Sequence, residues 1–136
     1  MIVRCLKVID VKGEDIGYHP AIAVGDILVV VEVGAIRGKE PRLRVVNPNR
    51  LPEDRLPGVW PASMFEVLDP SIPSNWEIHL NTVESTTYLR IAPESWQRPG
   101  FWEDLADGSE LGARAIDEYD RELAILLREA KGEGSR

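Results

Sequence analysis

Gly58-Val59-Trp60-Pro61-Ala62-Ser63-Met64-Phe65-Glu66-Val67-Leu68 is the stretch whose reading decides the fold. Val59 to Leu68 has β character, and Pro61 interrupts it. Proline has no N–H to give to a ladder, so Pro61 marks a break that leads into a last short strand. Glycine and proline at such points turn the corners of small β-structures.

The residues before this stretch extend the same picture. Residues 47–58 hold Pro48, Pro52 and Pro57 with two asparagines, the composition of a loop. Arg42-Leu43-Arg44-Val45-Val46 alternates polar and apolar, as a half-exposed strand does. Gly34 to Pro41 is a polar connector. Val24-Gly25-Asp26 is a turn feeding Ile27 to Val33, a run apolar enough to be buried on both faces. Residues 10–22 are irregular, with Gly13, Gly17 and Pro20. Ile2 to Ile9 alternates and is rich in β-branched residues, which predicts the first strand.

This order of strands and loops resembles an SH3-like small β-barrel over about residues 2–68. Two segments carry the resemblance. Val24-Gly25-Asp26 resembles the family's diverging turn, and Gly58 to Leu68 resembles its closing segment, where Gly-x-aromatic-Pro precedes the last strand. The resemblance implies a closed barrel. Peptide-binding members line a groove with aromatics to dock a polyproline helix. Here Arg4-Cys5-Leu6-Lys7-Val8-Ile9-Asp10 has no counterpart of the family's first-strand alanine-leucine-tyrosine-aspartate-tyrosine motif. Arg42 to Val46 lacks the paired tryptophans, and Met64 stands where the final groove tyrosine falls. Only Pro61 carries over to a groove position, so binding of proline-rich peptides by the usual route is not implied. The loop between the third and fourth strands is also longer than the family's distal hairpin.

The second half lies outside that resemblance. Residues 69–75 read as a linker, with Pro70 and Pro73 among serines. Trp76 to Leu80 and Thr86 to Ile91 alternate, and Asn81 to Ser85 predicts a five-residue hairpin connection. Pro99 to Ala106 predicts a short helical turn, broken by Asp107-Gly108-Ser109. A long helix follows from about Ser109 to about Ala130, with Ser109 as N-cap and Glu110 just inside. Ile116, Tyr119, Leu123, Leu126, Leu127 and Ala130 recur at three and four, one buried stripe. Arg114, Asp117, Glu118, Arg121, Glu122 and Glu129 take the other side, and residues 131–136 are a frayed tail. The fold class is therefore mainly β with a C-terminal helix. An SH3-like barrel (2–68) is followed by a hairpin and helix (76–131). The two pack as one unit, because a lone hairpin and one helix make a marginal core.

Composition narrows the function. The chain has 136 residues, 43% hydrophobic and 29% charged, too apolar for intrinsic disorder. No apolar run approaches the roughly 20 residues of a membrane span. No secretion signal is visible at the start, and the single cysteine, Cys5, fits a reducing cytoplasm. Cys5 is expected in a core as a small hydrophobe. The net charge is −7, which repels phosphate backbones and favours a basic protein partner. The charge is uneven. Residues 37–55 hold six of the sixteen cations against three carboxylates, and residues 94–136 hold eleven carboxylates against six cations.

Few residues carry a chemical signal. Trp96, Phe101 and Trp102 put three large aromatics within seven residues, either a partner-binding anchor or a staple between helix and sheet. Arg37, Lys39, Arg42, Arg44, Arg50 and Arg55 form the one basic stretch, with Arg42 and Arg44 sharing a strand face as the candidate nucleic-acid contact. It lacks the interleaved aromatics that stack on bases. Asp104, Asp107, Ser109 and Glu110 surround Gly108 without the spacing of an EF-hand, so helix punctuation explains them. His19 and His79 have no companion at metal-ligand spacing, and His79 is expected to face solvent. No nucleophile motif, phosphate loop or dinucleotide fingerprint appears. No cofactor or metal is expected. The favoured reading is a small acidic, non-enzymatic protein-interaction domain, of the kind that antagonises or confers immunity against a basic protein. Nucleic-acid binding through Arg42 and Arg44 is the alternative, and an enzyme with a spatially assembled site is a third.

Overall fold

The computed structural model describes residues 1–10, 12–51, 56–106 and 110–130. Among these residues, seven strands and two helices run in the order β1 (Ile2–Cys5), β2 (Ile27–Ile36), β3 (Arg42–Val46), β4 (Gly58–Pro61), β5 (Phe65–Asp69), β6 (Trp76–Val83), β7 (Thr86–Pro93), α1 (Phe101–Ala106) and α2 (Glu110–Ala130). Short 3-10 turns lie at Pro48–Arg50, Ala62–Met64 and Glu94–Trp96.

β2 is the spine of a seven-stranded antiparallel sheet. One of its edges pairs with β3. The other is shared: Ile27 to Val29 pair with β1, and Val33 to Ile36 pair with β7. Between them the β3 register slips, from Val30 opposite Val45 to Glu32 opposite Arg44, so Val31 is the extra residue of a bulge. Leu28 and Val30 join one core with Val3, Cys5, Leu43, Val45 and Met64. Val29 and Val31 join a second core on the opposite face, with Val46, Trp96, Phe101, Tyr119 and Leu123. Burial on both faces explains why this strand reads as an unbroken apolar run.

The strand order is β4-β3-β2-β1-β5, with β6 and β7 attached beside β2. Among the described residues no ladder joins β4 to β5, so the sheet stays open and the closed barrel expected from the sequence is not formed. The outer half of the β2 edge is occupied by β7. Pro61 ends β4, and a 3-10 turn over Ala62–Met64 carries the chain into β5.

Several boundaries move for local reasons. β1 stops at Cys5 rather than Ile9, and beyond it the Lys7 carbonyl accepts from the Cys5 Sγ–H and the Val8 carbonyl from the Ile16 N–H. β2 continues three residues into the expected connector, where β7 supplies a partner. The five-residue hairpin connection shrinks to Glu84-Ser85, at φ 50° and 69°. Two left-handed residues match the twist of the flanking strands, and they let Asn81 to Val83 continue the ladder.

The long helix packs on the sheet as expected. Ala115, Tyr119, Leu123 and Leu126 are buried, with Ile116 and Leu127 half-buried beside them. Arg98 ties the two helices together. It donates to Asp104 Oδ2 at 2.7 Å, lies 3.7 Å from Glu118 Oε2, and sits over the Phe101 ring. The expected Ser109 cap, the Asp107-Gly108-Ser109 break, Pro52, Arg55 and the 131–136 tail lie outside the described residues.

Candidate functional site

The bulge at Val31 sets what the rest of β2 presents. Glu32 follows Val31 onto the helix-bearing face, and alternation then places Gly34 and Ile36 there. Register adds Arg44 and Arg42 from β3, Val59 from β4, and Arg90 and Tyr88 from β7. The helices cover this face at Val29, Val31 and Val46. Past Glu32 it opens into a cleft of about 190 Å³, lined by Gly34, Ile36, Arg42, Arg44, Tyr88 and Arg90 among others.

Glu32 closes the inner end of that cleft. Its side chain is only 8% exposed, and three donors converge on its carboxylate. Arg44 Nε donates to Oε1 at 3.2 Å. Arg90 donates to Oε2 at 2.9 Å, and so does the Trp102 indole N–H at 3.0 Å. Arg90 also donates to the Trp96 carbonyl at 3.2 Å. The Arg44 guanidinium lies 4.3 Å from the centroid of the Trp102 ring, a cation–π arrangement. These donors replace the water that a carboxylate gives up on burial.

The two candidate groups of the sequence therefore meet. Arg44 and Trp102 touch each other and share Glu32. Trp96 and Phe101 are buried, with stacked rings 6.2 Å apart, and Trp96 lies 5.1 Å from Tyr119. They join the helices to the sheet, and only Trp102 keeps part of its surface free. Arg42 is exposed at the cleft, with Lys39 and Glu40 nearby. Glu40 accepts from the Ser63 N–H at 2.6 Å, and hydrogen bonding with the Ser63 side chain, then with that N–H, holds its carboxyl below the usual range. Arg50 points elsewhere, donating to the Pro20 carbonyl, so the basic stretch does not act as one patch. Sequence reasoning missed Glu32 and Arg90. A lone acid inside an apolar strand was the available signal for the first, and nothing local marked the second.

A second surface lies on the hairpin. β6 pairs only with β7 among the described residues, so its other edge is open. Ile78 and Leu80 stand 67% and 70% exposed on the face opposite the arginines, in register with Ile91 and Leu89. His79 is exposed, as expected, 3.4 Å from Glu77. His19 accepts the Ala21 N–H through Nδ1 and meets the Trp60 ring edge-on. Asp104 is held by Arg98, whereas Asp107 and Ser109 lie outside the described residues. Comparison with protein-family models, curated proteins and solved structures finds no significant match for this chain.

Proposed function

We propose that this chain is a non-enzymatic protein-interaction domain that docks an extended, basic segment of another protein along the free edge of β6. The observation that carries this reading is the pair Ile78 and Leu80, largely exposed on an edge strand. Open edges offer unpaired N–H and C=O groups, and partners that add a strand use them for affinity and side-chain pockets for specificity. Two large apolar side chains beside such an edge are a surface that a partner strand covers. Glu77 on β6 and Glu84 in its turn suit basic residues on that partner, as does the acidic α2. The net charge of −7 points the same way and would steer a basic protein toward the domain. An antagonist or immunity role against a basic protein is the version of this reading that fits size and charge.

An SH3-like plan for residues 2–68 belongs to the same proposal. Support comes from the order β4-β3-β2-β1-β5 and from the 3-10 turn before β5. The nucleic-acid alternative is disfavoured by Arg44, whose guanidinium is already committed to Glu32 and Trp102.

The test is affinity capture with the full chain, with and without nuclease, at low and high salt. The I78D/L80D variant is run beside the wild type. One basic protein that survives nuclease, weakens with salt and is lost on the double variant is the expected result. Capture that vanishes with nuclease, or that ignores the double variant, overturns the reading.

A further inference from the structure

Gly34 is the least explained residue of the sheet. It sits inside β2, where glycine is less stable than alanine because its backbone loses more freedom on folding. Two ordinary reasons for a strand glycine are absent. Its φ is not in the left-handed region, and a Cβ built there meets nothing closer than the Leu89 carbonyl oxygen at 4.0 Å. A strand glycine with open space above it leaves room for a group that approaches the backbone.

Its neighbours say what kind of group that is. Gly34 is registered against Arg42 on β3 and Arg90 on β7, so an empty position lies between two arginines. Neighbouring strands run about 4.8 Å apart, which sets the two arginine backbones about 10 Å apart across the gap. Arg90 gives its Nη2 to Glu32 and the Trp96 carbonyl, which aims it, while its Nε and Nη1 make no hydrogen bond among the described residues and remain available to a ligand. The Arg42 guanidinium has no hydrogen-bonded acid among the described residues. Although the chain is acidic overall, Lys39, Arg42, Arg44 and Arg90 outnumber Glu32 and Glu40 around this cleft. The wall beyond them is apolar, made by Ile36, Val59 and Tyr88.

We propose that this cleft binds a small carboxylate with an apolar body, its oxygens between Arg42 and Arg90 over Gly34 and its body against Ile36 and Tyr88. Guanidinium forks match the two oxygens of a carboxylate, and the apolar wall favours an organic acid over a bare, strongly hydrated anion. The cleft, at about 190 Å³, suits a single-ring acid such as benzoate. The carboxylate comes either from a free organic acid or from the end of a peptide. This proposal does not depend on docking along β6, which uses the opposite face of the hairpin.

The test is a titration of the full ¹⁵N-labelled chain, read by amide shifts. The arms are benzoate, inorganic phosphate, and a short peptide ending in phenylalanine with its terminus free or amidated. Saturable benzoate shifts centred on Gly34, Arg42, Tyr88 and Arg90 are expected, with phosphate at least tenfold weaker. R42Q should weaken benzoate at least about tenfold, the loss of a charge-assisted pair. G34V should abolish binding while its thermal midpoint stays at or above that of the wild type. A free-terminus peptide that binds more tightly than benzoate, and is inert when amidated, identifies a peptide end as the source. A peptide weaker than benzoate identifies a free acid. Absence of benzoate shifts, a preference for phosphate, or benzoate affinity unchanged by G34V and R42Q overturns the proposal.

Discussion

Glu32 is a carboxylate placed inside an otherwise apolar strand, and its environment makes that tolerable. Arg44, Arg90 and the Trp102 indole donate to it, so removing the carboxylate strands three donors at the inner end of the cleft. Breaking a buried pair by deleting one partner is costly, and the two arginines here keep some access to water. Glu32→Ala should therefore lower stability by about 3 kcal/mol, whereas Glu32→Gln, which keeps an acceptor, should cost less. Urea unfolding of the two variants checks this. Cys5 is fully buried, its Sγ–H donating to the Lys7 carbonyl, and burial pushes its thiol pKa up from the ordinary 9.0. A thiol reagent at neutral pH should label it only as fast as the chain opens, so labelling slows when the fold is stabilised. A raised folded pKa means the unfolded chain releases its proton first. The Cys5 contribution is thus present below pH 9 and is lost as pH rises beyond it. Glu40 and Asp69 carry the opposite sign. Bonds with Ser63 and Ser71 hold both below their ordinary values of 4.5 and 3.8. Their contribution is present above those values and is lost as pH falls through the lower folded ones. Alanine at Ser71 would keep the N–H, so Asp69→Asn is the variant whose acid midpoint should shift.

Among the elements, β2 decides most. Its bulge at Val31 lets Val29, Val31 and Glu32 serve the helix side while Leu28, Val30 and Val33 serve the other. Deleting Val31 would remove the extra residue and regularise the ladder, with Glu32 following Val30 opposite Arg44 and Gly34 and Ile36 still beside the arginines, at the cost of one buried side chain in the helix-side core. Such a deletion variant should still unfold cooperatively but with a lower thermal midpoint, from the lost Val31 packing. The helices depend on the aromatic layer against β2 and β3. Trp96→Ala should cost about 3–5 kcal/mol, the range for removing a large buried aromatic, and should release α2 from the sheet. Much of this was legible. The apolar run at 27–33, the alternation at 42–46, the hairpin and the helical stripe were local patterns, and they appear where periodicity puts them. The bulge was not legible, because an extra residue in an apolar run leaves no mark on composition. Nor was the two-residue turn, since Glu84 and Ser85 are not the glycine or asparagine that left-handed positions favour. The cleft escaped for a third reason: Gly34, Arg42 and Arg90 come from three strands, and only the register of two ladders brings them into one row.

At the scale of the whole molecule, one strand holds two cores. Trp96, Phe101, Leu105, Tyr119, Leu123 and Leu126 cover the face of β2 and β3 that carries Val29, Val31 and Val46. A chain cut after Asp69 would leave those side chains in water, and it should aggregate or lose its cooperative transition. Full near-native stability of that fragment would show that the second half is an accessory. The charge is also divided between regions, with cations gathered at the cleft and acids along α2. Association with a basic partner should slow as salt rises, by a lower on-rate more than a faster release. The most direct test of the central claim, docking along the free edge of β6, is hydrogen exchange on the captured complex. The account predicts that edge-facing amides within residues 77–83 exchange fast in the free chain and become protected in the complex. Protection confined to α2 or to the arginine cleft, with β6 exchanging as before, would contradict it.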